Sequence, residues 1–406
     1  MITHTFKIWE RVLNRRLQYL TKVTENQCGF VRGRLTTDAI QNIRMFLEKY
    51  QKKKFDLHMV FIDLEKAFDK VPRRLIWEAL RKQIVPEYYI KLLMDMYDDI
   101  NTKVWSPARE SELFEIKMGV HQGSALSPLL FNLVMDYITA HIQRPTPKSM
   151  LDADDVVLMD ETPEGLQCTL NKWREALESN GLRISRTRTE YMPCYFSGQR
   201  PETPNALCLQ ETPMPVVESF KYLGTVLSPR GGVDGDIAHR TKLGWMKWRS
   251  VSGVLCDKRM PVKVKGQVYK SVVRPTMTYS SECWTLKSQH SQSLHRNEMK
   301  ILRWAGGVTK ADRVKNVHIR GSFKVAPIHE KITENRLRWY GHVMRLPQEN
   351  MITRAIDISI GARRPGRPLT TWMSTIRKDL KEAELRSEDA GNRKTWRLRT
   401  RRADPK

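Results

Sequence analysis

The stretch Met150-Leu151-Asp152-Ala153-Asp154-Asp155-Val156-Val157-Leu158-Met159 narrows the folds open to this chain more than any other. Its three carboxylates form a polar step between two apolar, β-prone runs, and the step has the length of a hairpin turn. Acids at the tip of two buried strands repel one another, so one holds a proton unless a cation neutralises them. A divalent metal is one explanation of the pattern. A solvated surface turn, where Asp is a favoured residue, is the other.

A second stretch, His58-Met59-Val60-Phe61-Ile62-Asp63-Leu64-Glu65-Lys66-Ala67-Phe68-Asp69, bears on that choice. Met59 to Ile62 is a continuous apolar run, which fits a strand buried on both faces. Asp63 ends it with apolar neighbours on either side, so amphipathic alternation does not account for the acid. With this strand beside the hairpin, Asp63 and Asp154 converge. Two Mg²⁺ ions take oxygen ligands of this kind and keep waters and substrate phosphates around them, and Mn²⁺ suits the same donors. Two such metals about 3.5–4 Å apart activate a 3′-hydroxyl and stabilise a leaving pyrophosphate.

Four segments in order resemble the reverse transcriptases of non-LTR (LINE-type) retrotransposons, nearest the RTE-like clade. They are Glu25-Asn26-Gln27-Cys28-Gly29-Phe30-Val31-Arg32-Gly33-Arg34, then Phe61 to Asp69, then Gly119-Val120-His121-Gln122-Gly123-Ser124-Ala125-Leu126-Ser127-Pro128, and Ala153-Asp154-Asp155. A lone ADD tripeptide is weak; the ordered set with QGSxLSP between the acidic motifs is specific. The resemblance runs on through the C-terminal half. It implies an α+β right-hand polymerase palm, a small antiparallel sheet with helices, with partial fingers and a helical thumb and C-terminal module. The implied domains are partial fingers over 1–55, the palm over 56–193, a primer-grip-like segment and thumb over 194–290, and a basic helical module over 291–406. An N-terminally truncated chain without the endonuclease domain is expected.

The resemblance also implies roles. Asp63 and Asp154 bind both metals and Asp155 supports them. Phe68 is the steric gate against a ribose 2′-hydroxyl, Gln122 and Gly123 shape the nucleotide pocket, and Arg32 and Arg34 meet template phosphate. Phe220-Lys221-Tyr222-Leu223-Gly224 resembles the primer grip, with Tyr222, Leu223 and Gly224 at the primer. The chain departs from the family at Asp152, where an aromatic residue is usual. It departs again at Arg188, where a lysine is proposed to protonate pyrophosphate; an arginine keeps the charge but does not readily give up a proton. The implied function is RNA-directed DNA synthesis on an RNA template and a DNA primer with dNTPs. The alternative is an inactive nucleic-acid-binding remnant of a retrotransposon.

A net charge of +25 demands a polyanionic partner, nucleic acid before an acidic membrane surface. The six cysteines show no CxxC pair and read as free thiols, and no signal peptide or membrane-length apolar run is present, so an intracellular protein of nucleus and cytoplasm is expected. Residues 3–20 fit a helix packed through Phe6, Trp9, Leu13, Leu17 and Leu20. Helices are expected from Pro72, Pro86, Ser127-Pro128 as cap and first position, and Thr162-Pro163. A basic thumb helix packs through Ile237, Trp245, Trp248, Val251 and Leu255 with Arg240 outside. Arg363 to Pro368 is similar to an AT-hook core, and the basic tail from Arg393 to Arg402 is expected to fray.

Overall fold

Leu57–Ile62 forms a strand, β1, buried at every residue, as the apolar run Met59 to Ile62 requires, with His58 buried beside it on Tyr191 Oη at 2.5 Å. The computed structural model describes residues 4–98, 100–107, 109–199, 201, 206–358 and 369–405. Beside β1 lie β2 (Ser149–Asp152), β3 (Asp155–Asp160) and β4 (Glu190–Cys194), in the order β2-β3-β1-β4, all antiparallel. Ile62 stands opposite Val156 on one side, and Val60 opposite Tyr191 on the other. Asp152 pairs with Asp155, so Ala153-Asp154 is a two-residue hairpin turn. Ala153 has φ 57°, the positive value that twist-matched turns of this length demand at their first central position.

Helix Pro163–Ser179 packs on this sheet through Leu166, Leu170, Trp173 and Leu177, all fully buried, and Thr162 caps it by accepting from Gly165 N–H at 3.2 Å. The helices Arg73–Lys82 and Glu87–Tyr97 begin where Pro72 and Pro86 stop the preceding chain. Helix Ser127–Thr139 differs in detail from expectation. Ser127 lies inside its first turn, and its hydroxyl donates to the His121 carbonyl at 2.6 Å instead of capping.

The N-terminal helix His4–Leu20 buries Leu13 and Leu17, while Trp9 and Leu20, expected in its packing face, are 44% and 41% exposed. Glu10 lies inside instead. It accepts hydrogen bonds from Ser124 Oγ at 2.6 Å and Ala125 N at 3.2 Å, which rotates the buried stripe.

By compactness the chain divides into residues 1–39 with 55–217, and residues 40–54 with 218–406. In the second unit the strands Phe220–Tyr222 and Thr225–Leu227 form a hairpin over Leu223-Gly224, at φ 45° and 80°. Asp236 of helix Asp234–Ser250 is fully buried and is satisfied by Arg44 at 2.8 Å, Thr225 Oγ1 at 2.6 Å and Trp284 Nε1 at 2.7 Å. A charge this deep persists only with such partners.

Two expectations for this unit are corrected. Arg240, placed on the outer face of the thumb helix, is buried: it lies over the Tyr279 ring at 4.0 Å and donates to the Gly224 carbonyl, which the tight turn leaves in need of a donor. The basic tail does not fray. It forms helix Arg393–Arg399, whose Trp396 is 1% exposed and donates to the Leu337 carbonyl at 2.8 Å, seated over Gly341, where any Cβ would collide with the indole. The AT-hook-like segment Arg363 to Pro368 lies outside the described residues. No described helix is long and apolar enough to cross a membrane.

Candidate active site

The acids gather where the pairing brings strand ends together. Asp63 is the residue after β1; with Ile62 opposite Val156, the register carries it opposite Asp155. Asp155 in turn pairs with Asp152, and Asp154 fills the turn between them. Burial is the main cause that lifts every one of these carboxyls above its ordinary range. Asp155 rises to about 6, helped by the charges of Asp154 and Asp63. Asp152 rises to about 7, helped by Asp155 and Asp154. Asp154 rises with Asp63 as the charged neighbour, and the rise at Asp63 is opposed by Arg188.

Arg188 reaches Asp63 because residues 183–189 run beside the strand end. Ser185 N–H donates to the Asp63 carbonyl at 2.8 Å, and Glu65 N–H to the Arg183 carbonyl at 2.9 Å. Arg188 Nε then lies 3.1 Å from Asp63 Oδ2, an ion pair without hydrogen-bond geometry.

The donor set suits a hard divalent cation. Among the described residues no three acidic, histidine or cysteine side chains form a ready cage. Mg²⁺ does not need one, since it takes one or two carboxylates and completes its shell with water and phosphate. The raised carboxyls, with Asp63 Oδ2 and Asp152 Oδ2 lacking hydrogen-bond partners, leave oxygen donors whose repulsion a cation relieves.

The turn is clamped from the side. Gln27 forms a parallel bridge with Leu151, Cys28 N–H donates to the Leu151 carbonyl at 2.7 Å, and Leu151 N–H to the Asn26 carbonyl at 2.9 Å. The fully buried Gln27 Oε1 accepts from Ala153 N at 3.1 Å and Gly29 N at 3.2 Å. Gly29 permits this approach: a Cβ there would lie 2.6 Å from Asp152 Oδ1 and 2.7 Å from Ala153 N. Gln27 was not singled out from sequence, although it lies in a quoted motif.

Phe68 is half-buried and stacks on Phe131 with centroids 4.5 Å apart. Gln122 is exposed and donates to Asp69 Oδ1 at 2.9 Å, joining the two motif loops. Gly123 has φ 79° with open space about it, room for a ligand to approach the backbone. Glu10 holds the neighbouring Ser124-Ala125 peptide. Its signal in the sequence was an acid on the Leu13-Leu17 stripe.

The two loop arginines differ. Arg32 is exposed and donates to Tyr19 Oη at 3.0 Å. Arg34 gives its Nη1 to the carbonyls of Glu25 and Gln27, so its guanidinium braces the clamp loop. In the second unit Tyr222 is buried, and the Leu223-Gly224 turn is held by Tyr279 Oη, 2.9 Å from the Leu223 carbonyl.

An antiparallel sheet packed by helices, with acids gathered at one hairpin tip and a Gly-rich loop beside them, is a polymerase palm. The family model described as reverse transcriptase (RNA-dependent DNA polymerase) matches residues 1–227. The chain belongs to the reverse transcriptase family, and its relatives are polymerases of non-LTR retrotransposons. It is 28% identical over 240 residues to the Pol polyprotein of type-1 retrotransposable element R2 of Nasonia vitripennis, 55% of this chain and 23% of that protein. It is 24% identical over 376 residues to the probable RNA-directed DNA polymerase of transposon X-element of Drosophila melanogaster, 89% of this chain and 40% of that protein. The chain thus spans well under half the length of these relatives. Apo telomerase from Candida tropicalis is similar with a TM-score of 0.43 and 12% identity, over 86% of this chain and 58% of that one.

Proposed function

We propose that the chain extends a DNA primer on an RNA template with deoxynucleoside triphosphates, and that it belongs to the RTE-like clade. The observation that carries the activity is the convergence of Asp63, Asp154 and Asp155 at one hairpin tip, each with a raised carboxyl pKa. Asp63 and Asp154 are the ligands for two divalent cations, Mg²⁺ or Mn²⁺, and Asp155 supports them. Cations held there supply charge neutralisation and a more acidic primer hydroxyl.

The remaining residues position the nucleotide. Phe68, braced by Phe131, excludes a ribose 2′-hydroxyl. Gln122, fixed by Asp69, and Gly123 shape the nucleotide pocket. Arg188, beside Asp63, would offer its guanidinium to the triphosphate and stabilise the pyrophosphate by charge without giving it a proton. Arg32 meets template phosphate, Arg34 holds the clamp loop, and Leu223 and Gly224 meet the primer, while Tyr222, buried beneath the turn, supports them from inside instead of touching it.

The test is extension of oligo(dT) on poly(rA) with dTTP in Mg²⁺ or Mn²⁺, comparing the chain with Asp154→Asn. Extension that disappears in the variant is the expected result. Equal extension by both would overturn the assignment of Asp154. No extension by either, with tight salt-sensitive binding to the same duplex, would leave a binding remnant and overturn the activity.

A further inference from the structure

The second unit carries a groove whose lining includes none of the residues given a role in synthesis above. It lies between helices Asp234–Ser250 and Ser288–Ala305, with residues 308–310 at its edge, and has a volume of about 760 Å³. Lys242, Arg249, Lys300 and Lys310 line it, and no carboxylate does. Among the described residues none of these four makes an ion pair. Cations left unpaired at one groove create a potential that attracts a polyanion.

Its apolar wall is aromatic. Trp304 is 64% exposed, yet it is fixed edge-on by Trp248 at 5.4 Å and Trp245 at 6.4 Å. Trp245 is anchored in turn, its Nε1 donating to Asn297 Oδ1 at 3.2 Å. Arg303, also in the lining, is held by the Thr309 and Val314 carbonyls at 3.1 and 2.8 Å, which keeps the edge loop in place. A large indole held in the open beside unpaired cations matches the two needs of an unpaired nucleotide, a stacking surface and phosphate counter-charge. A base pair inside a duplex is already stacked on both faces and has none to offer.

We propose that this groove holds an unpaired stretch of RNA, one base stacked on Trp304 and the flanking phosphates on Lys242, Arg249, Lys300 and Lys310. The choice of RNA over DNA rests on the polymerase reading, whereas the stacking site stands without it.

The test uses the full chain carrying Asp154→Asn, so that binding is read apart from synthesis. Fluorescence anisotropy of labelled 12-nucleotide single-stranded RNA, the same sequence as DNA, and the blunt duplex is measured over a range of salt. Trp304→Ala is expected to weaken single-stranded RNA binding about tenfold, to leave the duplex unchanged, and to be largely rescued by Trp304→Phe. Lys300→Ala with Lys310→Ala removes surface charge without touching the tryptophan cluster, and is expected to lower the salt slope for single strands by about 1.4. Equal single-strand affinity in Trp304→Ala, or the same loss for duplex and single strand, overturns the stacking site, as does an unchanged slope in the lysine pair. A loss confined to DNA overturns the assignment to RNA. An acidic peptide that displaces the RNA at equal charge concentration would show a general anion groove and overturn the proposal.

Discussion

Arg188 Nε lies 3.1 Å from Asp63 Oδ2, so a guanidinium stands on an oxygen that the proposed activity gives to a cation. Arg188 therefore competes with metal for Asp63. Its replacement by Ala is expected to tighten Mn²⁺ binding several-fold, read by electron paramagnetic resonance or calorimetry, with Arg188→Lys between the two. Extension by Arg188→Ala is expected to fall even so, because the triphosphate loses a counter-charge. Unchanged Mn²⁺ affinity would mean that the ion pair does not guard the site.

Gln27 accepts from two backbone donors with one buried oxygen, at Ala153 and Gly29. Gln27→Ala strands both inside the protein, and a buried unsatisfied donor costs about 1–3 kcal/mol. Urea denaturation is expected to show a loss of roughly 2–4 kcal/mol on that basis. Extension should fall with it, as the turn that carries Asp154 loosens. A change below about 0.5 kcal/mol, the range of an ordinary surface substitution, would remove Gln27 from the clamp.

Phe68 is held against Phe131 at 4.5 Å, which fixes the ring that the proposed nucleotide sugar would meet. Phe68→Val shortens the side chain and frees that space. Incorporation of rTTP relative to dTTP is expected to rise at least tenfold, with a stability loss of about 1–2 kcal/mol from the lost aromatic contact. Unaltered sugar discrimination would leave Phe68 as a core residue alone.

The palm was legible because its signals were local. β1 carries the apolar run Met59 to Ile62, the acids of 152–155 sit in one turn, and the Pro72, Pro86 and Thr162 helix starts carry their own chemistry. What escaped was decided by distant partners. Trp9 and Leu20 fit a helical stripe, but Glu10 took the inner position because the Ser124-Ala125 loop needed an acceptor. Arg240 looked like surface charge until the Gly224 carbonyl and Tyr279 ring claimed it. The tail looked frayed because its charge hid two buried residues, Thr400 and Trp396, and the seat of Trp396 depends on Gly341 some 55 positions earlier. Gln27 was invisible as a clamp because its partners belong to a turn 126 residues away.

Asp152 has the sharpest pH signature. Its carboxyl is lifted to about 7, by burial first and then by Asp155 across the strand pair and Asp154 in the turn; the Cys28 thiol on the clamp loop feels the same charge. The folded state holds the proton more tightly than the unfolded chain, where the ordinary value is 3.8. The stabilisation is therefore complete below that value and is lost as pH rises through about 7. Asp152→Asn removes this titration. Without divalent cations, its advantage over the parent chain in thermal denaturation is expected to be small at pH 4, to grow between, and to level off above pH 7, at a few kcal/mol. Saturating Mg²⁺ should shrink that advantage, because a cation offsets the carboxylate charge that the substitution deletes. An advantage that stayed flat from pH 4 to 8 would mean that Asp152 remains charged throughout, and that its neighbours rather than its own burial set the proton count of the hairpin.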